Sequence, residues 1–349
     1  MERGSEGRPP RLGGIGKASI RYGGMAATTF LLFGLILLLA GKNPIHAYRD
    51  ILTSTLGSAY GLSEVAVAMM PLLLTALAVA LPSRMGLINV GGEGQLYMGA
   101  LLATWGALRF DHLPGWALLP LMLALGMIGG GLWAFLPGYL RAQGIVNETI
   151  TTLLLNAVAP TLVAFFIFGF WHSPMDTNKT AVFVPAARLP TLPGTRVDLS
   201  LAIGIGLLAL FWFIMKYTRW GLEIRAIGGN PQAARRNGIR VKRYIVVVMC
   251  LAGAIAGLAG MAQVSGYYGV LLAGFSRGIG FMGFLISWLA GGSPLGIVLT
   301  SFVVAIILTG GNLLQLTRDV PYSVIHILLA ITLFVVLARP EIQRRRKTA

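Results

Sequence analysis

The residues best suited to functional chemistry are polar side chains inside apolar sequence, in Gly86-Leu-Ile-Asn-Val-Gly-Gly-Glu-Gly-Gln-Leu-Tyr-Met-Gly-Ala100. A carboxylate at membrane depth costs at least a few kcal/mol, so Glu93 requires a partner or water. Together with Asn89 and Gln95, Glu93 could form a polar route for a solute. Alternatively, Glu93 bonds internally to backbone or Ser/Thr groups and holds helices together. The sequence leaves both interpretations open.

A second polar stretch is Ile145-Val-Asn-Glu-Thr-Ile-Thr-Thr-Leu-Leu-Leu-Asn156, which follows Arg141. Asn147 is predicted to cap a helix and Glu148 to lie in its first turn, where the helix dipole favours a negative charge. Asn156 is deeper in the same helix, and a buried amide requires hydrogen-bond partners. Asn156 is therefore a further candidate for the polar route.

Sequence signals for catalysis are weak. The four histidines are scattered, and neither HExxH nor GxSxG, the signatures of two large hydrolase classes, occurs. Gly13–Lys17 matches only part of a phosphate-binding loop. Gly278–Gly283 fits GxGxxG without the preceding strand that a dinucleotide-binding fold requires. The single cysteine, Cys250, is expected to be a small core residue, and we predict no catalytic residue, metal site or cofactor.

The composition is that of an integral membrane protein: 56% of the 349 residues are hydrophobic and 11% are charged, against about 25% charged in soluble domains. A spanning helix requires roughly 20 apolar residues, and we predict an all-α bundle of about ten such helices. In the pair around Phe281–Thr309, Gly291–Pro294 either breaks one long helix or separates two short ones. Both termini are expected in the cytoplasm, since most of the 28 Lys and Arg residues then lie inside. The expected spans are Met25–Ala40, Gly61–Leu81, Ile88–Ala107, Trp116–Leu136, Ile145–Phe170, Leu199–Tyr217, Ile245–Val264, Phe281–Leu289, Leu295–Thr309 and Val320–Leu337.

This topology also explains the net charge of +16, which we do not attribute to nucleic-acid binding. The predicted organisation is a cytoplasmic basic arm (residues 1–24), a transmembrane domain (25–338) and a cytoplasmic basic tail (339–349). Within the transmembrane domain, the loop His172–Asp198 contains four prolines. It is expected to form a stiff, mostly irregular cap on the outer side.

Glycine spacing predicts a tightly packed bundle. Glycines interrupt two segments, Gly86–Gly99 and Gly274–Gly296. Paired interruptions in the two halves of a chain are typical of transporters with an internal repeat around a central pathway. GxxxG pairs, which let helix backbones approach closely, occur at Gly126/Gly130 and Gly253/Gly257.

Residues 218–243 form a basic cytoplasmic loop between apolar segments. Asn230 and Pro231 predict a helix start, since Asn caps helices and Pro is tolerated at the first helical position. Asn237 and Gly238 predict its end, since Gly adopts the left-handed conformation. The intervening helix of about two turns is expected to pack against another element, because so short a helix is marginal in water.

Four motifs occur in a fixed order along the chain: Gly86–Ala100, Asn147–Asn156, Arg225–Ile239 and Gly280–Gly296. Together they resemble the permease subunits of bacterial ABC importers of the ribose/branched-chain amino acid class, nearest to the nucleoside branch. The resemblance covers about Gly61 to Val336. It implies a multi-pass protein of the bacterial inner membrane that pairs with a second permease subunit, expected to form a heterodimer. The other implied partners are cytoplasmic ATPase subunits, which would hydrolyse ATP in place of this chain, and an extracytoplasmic solute-binding protein.

The resemblance also assigns roles to residues. The cytoplasmic coupling segment of the family falls on Arg225–Ile239, so the helix that begins after Asn230 would dock on the ATPase. ATP-driven closure of the ATPases would then switch access to the pathway. The candidate coupling residues are Arg225, Asn230, Pro231, Ala233, Ala234, Arg235, Arg236 and Gly238, and the candidate pathway residues are Asn89, Glu93, Gln95, Asn156 and Phe281.

The expected substrate is a nucleoside or a related nucleobase compound, which suits aromatic stacking and amide hydrogen bonds. The segment Gly280–Gly291 departs from the nucleoside pattern, because Phe284, Ser287 and Trp288 are bulkier or more polar. A ribose-type sugar or a branched-chain amino acid is therefore an alternative substrate. A different class of protein is also open, an ion-coupled secondary carrier with Glu93 as the relay.

Overall fold

A computed structural model describes residues 31–318, apart from 33, 40, 174 and 175, together with 327, 330 and 331. The contacts divide the chain into a larger unit, Ser54–Thr309, and a smaller unit formed by the residues before and after it. The predicted basic arm, the basic tail, half of the first span and most of the last span lie outside the described residues, as does Gly13–Lys17. In the smaller unit, the described residues from 31 to 39 are helical, and Ile51 of helix α1 (Pro44–Leu56) lies against Gly310.

The larger unit is a helical bundle, as the composition predicts. Its central helix, α2 (Ala59–Ser83), is almost wholly buried, whereas most of α4, α5 and α6 faces outward. The remaining helices follow in order: α3 (Gly92–Arg109), α4 (Gly115–Gln143), α5 (Glu148–Gly169), α6 (Leu199–Tyr217), α7 (Arg219–Gly229), α8 (Pro231–Arg236), α9 (Val241–Ala262), α10 (Ile279–Leu289) and α11 (Pro294–Arg318).

Six of the described helices are long and apolar enough to cross a membrane: α2, α4, α5, α6, α9 with its π-helical extension Gln263–Tyr268, and α11. The predicted span Phe281–Leu289 is helical in the structure, but it is too short to cross a membrane by itself. It belongs to α10, whose 11 residues extend about 16 Å, half of a hydrocarbon core of about 30 Å. Gly291 and Gly292, both with positive φ, separate α10 from α11.

The glycine pairs pack α4 directly against α9, which confirms the prediction of close helix contact. A Cβ added at Gly257 would overlap the carbonyl group of Gly126, and one added at Gly130 would overlap that of Gly253. Only glycine permits this separation, so the two GxxxG pairs fix how α4 and α9 cross.

The segment between α5 and α6 is mostly irregular, as predicted, with one short hairpin that the sequence did not indicate. Strand β1 (His172–Ser173) pairs antiparallel with β2 (Asp176–Thr180). The segment is fixed on the end of α9 by its backbone, since the Phe183 N–H donates to the Gly269 carbonyl at 2.9 Å. The Ser265 hydroxyl also donates to the Ala187 carbonyl at 2.6 Å.

Candidate functional site

The first interrupted segment lies between α2 and α3, where residues 84–91 are not helical. Asn89 is fully buried there. Its Nδ2 donates to Gln95 Oε1 at 3.1 Å, and Gln95 Nε2 donates back to Asn89 Oδ1 at 3.0 Å. Asn89 Oδ1 also accepts from the Gly91 N–H at 3.0 Å. The two amides form a closed pair that stabilises the turn into α3.

Helix α5 supplies hydrogen bonds that the interrupted backbone lacks. Asn156 Oδ1 accepts from the Gly94 N–H, and Asn156 Nδ2 donates to the Val90 carbonyl, both at 2.8 Å. One turn earlier, Thr152 Oγ1 accepts from the Val90 N–H at 3.3 Å. Backbone groups away from water require such partners, because an unpaired group at this depth costs several kcal/mol. Asn156 is therefore part of the scaffold that holds the first interruption.

The start of α5 belongs to the same arrangement. Asn147 Oδ1 accepts from the Thr149 N–H at 2.8 Å, which confirms the predicted cap. Glu148 is buried, and its Oε1 accepts from the Ile88 N–H at 3.2 Å, while Arg141 Nε lies 2.9 Å from its Oε2. Glu148 therefore does more than the predicted interaction with the helix dipole, because it also binds the backbone of the first interruption. The regular spacing of four residues from Glu148 through Thr152 to Asn156 was the signal for a shared polar face.

Glu93 connects the first interruption to the second. Its side chain is only 5% exposed. Glu93 Oε2 accepts from the Gly280 N–H at 2.7 Å, and Oε1 accepts from the Gly278 N–H at 3.3 Å. Gly278 ends the non-helical residues 269–278 with a φ of +85°. The carboxylate thus bonds internally to backbone, while a role for Glu93 in solute passage stays a prediction.

Helix α10 is packed closely against α3 and α2 at this junction. A Cβ added at Gly280 would overlap the backbone of Glu93, and a Cβ at Gly283 would overlap Thr75. The two interrupted segments therefore meet directly.

Phe281 is the predicted pathway residue whose side chain lies outside the buried polar junction. It is 44% exposed at the start of α10. Phe284 and Trp288 follow at helical spacing, with ring centroids 5.7 Å apart. Helix α10 therefore carries an aromatic stripe, Phe281–Phe284–Trp288, on a partly exposed side. In the part of the chain that the structure describes, no group of His, Cys, Asp or Glu is suited to hold a metal ion.

The predicted short helix in the basic loop is confirmed as α8. Asn230 Oδ1 accepts from the N–H groups of Gln232 and Ala233, both at 3.0 Å. Gly238 has a φ of +82°, as expected of a residue that ends a helix. Ala234 is buried and holds α8 against its neighbours α7 and α9.

Helix α7 connects this loop to the bundle through contacts that the sequence did not reveal. A Cβ at Gly228 would overlap the Arg84 carbonyl. Arg84 Nη2 donates to the Gly292 carbonyl at 2.6 Å, in the turn between α10 and α11. Burial and the nearby charge of Arg225 lower the pKa of Arg84. Arg225 itself donates to the Met215 carbonyl at the end of α6.

Comparison with known proteins identifies the class. Residues 61–337 match the family model described as the branched-chain amino acid transport system permease component. The chain is 34% identical over 329 residues to the glucose ABC transporter permease protein TsgB13 of Haloferax volcanii, covering 90% of this chain and 85% of that protein. It is 34% identical over 322 residues to the nucleoside ABC transporter permease protein NupB of Lactococcus lactis (89% and 88%). It is 31% identical over 307 residues to the guanosine ABC transporter permease protein NupP of Bacillus subtilis (86% and 88%).

The chain therefore belongs to this family of ABC importer permeases, close to the nucleoside branch. It is a multi-pass protein of the bacterial cell membrane and a transport subunit, not an enzyme. The family assignment favours the ABC interpretation of the sequence over the ion-coupled carrier.

Proposed function

We propose that this chain is one of two permease subunits of an ATP-driven importer of nucleosides or related nucleobase compounds. The observation that carries the proposal is the junction where Glu93 binds the amides of Gly278 and Gly280. Interrupted segments from the two halves of a transporter typically surround its substrate pathway. A junction held by hydrogen bonds can move as one rigid piece when access switches.

At this junction, the polar residues and the aromatic stripe have separate roles. Asn89, Gln95 and Asn156 keep the interrupted backbone in shape, since their amide groups are engaged within the protein. Phe281 and its stripe face the second permease subunit across the pathway. Aromatic faces suit a nucleobase, because stacking contributes about 1–3 kcal/mol per base in other proteins.

The proposed topology has ten spans, cytoplasmic termini and α8 on the cytoplasmic face, where it docks on an ATPase subunit. Arg235 and Arg236 are exposed there and could pair with acidic groups of that partner. When the ATPases close, α8 is displaced and α7 transmits the movement through Gly228 to Arg84 and the turn at Gly292. An extracytoplasmic binding protein delivers the solute on the other side.

The test of this assignment is purification of the complex from native membranes in mild detergent, with retained proteins identified by mass spectrometry. An ATP-binding cassette protein should be retained by the wild-type chain and lost in Asn230→Ala/Gly238→Val, which removes both ends of α8. Gln232→Ala is the matched control, because its side chain is exposed on the same helix. A chain that purifies alone and still imports solute would contradict the assignment.

A sugar is the second candidate substrate, because TsgB13, named for glucose, is as similar to this chain as NupB is. Uptake of labelled adenosine by cells that carry the importer separates the two. Competition by unlabelled nucleosides, but not by glucose, ribose or leucine, is the expected outcome. If only a sugar or only leucine competed, that compound would be the substrate in place of a nucleoside.

A further inference from the structure

A cavity of about 480 Å³ lies between α7 and the start of α9, apart from the junction of the interrupted segments. It is half-open and has both polar and apolar walls. The transport mechanism proposed above uses Gly238, at its edge, as the end of α8, but assigns no role to the charged and aromatic side chains that line it. The lining side chains that bear on its ligand are Trp220, Glu223, Arg240, Arg243, Tyr244 and Val247.

The charged residues of the cavity favour an anion. Arg240 and Arg243 line it and, among the described residues, neither takes part in an ion pair. Glu223 is the opposing carboxylate, and it already accepts a hydrogen bond from the Tyr244 hydroxyl. Guanidinium groups bind phosphate through paired N–H donors, so two unpaired arginines on one cavity suit a phosphate group.

The aromatic residues place the cavity at a membrane boundary. Trp220 and Tyr244 stack with ring centroids 6.3 Å apart and an interplanar angle of 29°. Trp and Tyr are enriched at the level of lipid headgroups, where their rings are half in apolar and half in polar surroundings. The spanning helix α6 ends at Tyr217 and α9 begins at Val241, so the cavity lies where both spans leave the membrane.

The apolar wall distinguishes a lipid from a free phosphate. Val247 continues the cavity into the spanning part of α9 and is 38% exposed. Leu222, on the adjacent amphipathic helix α7, is also exposed. A dissolved anion makes no favourable contact with apolar surface beside its site, whereas the acyl chains of a lipid would cover that surface.

We propose that this cavity binds the headgroup of an anionic phospholipid, with Arg240 and Arg243 on the phosphate and the lipid chains against Val247. The bound lipid would stabilise α7 at the membrane surface, beside the segment that carries α8. The proposal requires only the membrane location of the chain and does not depend on the transported solute.

The test is made on the purified full-length chain, with any partners that remain bound, in nanodiscs of equal parts phosphatidylglycerol and phosphatidylcholine. The quantity measured is the ratio of the two lipids that stay bound after transfer to detergent, by mass spectrometry. Arg240→Gln/Arg243→Gln should lower the phosphatidylglycerol enrichment by roughly 25-fold, since each of the two basic residues near an anionic surface contributes a roughly fivefold effect. Trp220→Leu should lower it less, through loss of the aromatic wall.

The matched control is Arg219→Gln/Lys242→Gln, which removes the same charge from the same loop but outside the cavity. Lys242 points elsewhere, since its Nζ donates to Gln143 Oε1 at 3.2 Å. If a double variant folds poorly, the comparison is repeated with the single variants Arg243→Gln and Lys242→Gln. Equal losses in cavity and control variants would overturn the proposal, because they would indicate long-range charge alone.

Two further measurements separate other ligands from a lipid. Inorganic phosphate at millimolar concentration should not displace the bound phosphatidylglycerol. If phosphate did displace it, the ligand of the cavity would be a free anion and not a lipid. If the cavity variants keep their lipid but lose a co-purifying ATPase subunit, the cavity belongs to a protein interface and the proposal is wrong.

Discussion

Glu93 and Gly280 are separated by 187 residues, and Glu93 Oε2 accepts a 2.7 Å hydrogen bond from the Gly280 N–H. The other carboxylate oxygen accepts from the N–H of Gly278. Hydrogen bonds to an ionised acceptor are about twice as strong as neutral ones. Because Glu93 is in the first turn of α3 and Gly280 in that of α10, one side chain joins the two interruptions.

This geometry predicts that Glu93→Gln destabilises the protein and lowers uptake in parallel. A glutamine of the same size offers one oxygen and an NH₂ group to two backbone donors, so one buried N–H loses its acceptor. The expected loss is about 1–3 kcal/mol of unfolding free energy, seen as a lower melting temperature in detergent.

Glu64→Gln is the control for this change, because Glu64 forms a 2.9 Å ion pair with the half-exposed Arg196. An exposed pair of that kind contributes at most about 1 kcal/mol. If Glu93→Gln abolished uptake without changing stability, the result would contradict a structural role. It would indicate instead that Glu93 interacts with the solute or with an ion.

The contact between Gly280 and α3 predicts that Gly280→Ala is poorly tolerated. The added methyl group would meet backbone atoms of Glu93, which cannot rotate away. Overpacking of this kind costs typically about 1–3 kcal/mol. Gly206→Ala in α6 is the control, since a Cβ there meets nothing within 4 Å. Thermal unfolding of both variants in one detergent tests the prediction, and similar melting temperatures would contradict it.

The sequence predicted features that depend on neighbouring residues. The caps at Asn147 and Asn230 were identified because a capping side chain bonds two or three residues further along the chain. The predicted bounds Phe281–Leu289 lie within two residues of those of α10, because Gly291 and Gly292 mark the end of this helix in the sequence itself. Pairs such as Asn156 with Gly94 depend on how distant segments pack, which no local pattern encodes. The sequence therefore identified polar residues that the fold brings together without identifying their partners.

The cap of α8 predicts a local effect of Asn230→Ala. The variant loses the acceptor for two N–H groups, at a cost of about 1 kcal/mol. Six residues form few hydrogen bonds, so α8 should open more often while the bundle keeps its melting temperature. Hydrogen exchange of the amides of residues 232–236 should accelerate roughly fivefold, the rate change that corresponds to this cost. Gln232→Ala should leave exchange unchanged, and equal exchange in the two variants would show that the cap does not hold α8.

Asp198 predicts a pH dependence of stability. This residue caps α6, is buried, and accepts from the Ser200 N–H at 2.9 Å. Burial raises the pKa of Asp198 above its ordinary value of 3.8, against the effect of the Ser200 hydrogen bonds. At a pH just above 3.8, Asp198 therefore keeps its proton in the folded state and loses it in the unfolded state. Stability must then fall as the pH rises from about 4 through the folded-state pKa.

Asp198→Asn should remove this slope and be more stable than the wild type at neutral pH, because the amide keeps an acceptor for Ser200 without a buried charge. Asp176→Asn is the control of opposite sign. Hydrogen bonds from the Asn178 N–H and from Lys179 lower the pKa of Asp176, so its contribution is present above the ordinary pKa and is lost on acidification. Melting temperatures from pH 8 down to below pH 4 for the three proteins test both signs, because the pKa of Asp176 lies below its ordinary value of 3.8. A wild-type slope that persists in Asp198→Asn would assign the pH dependence to another group.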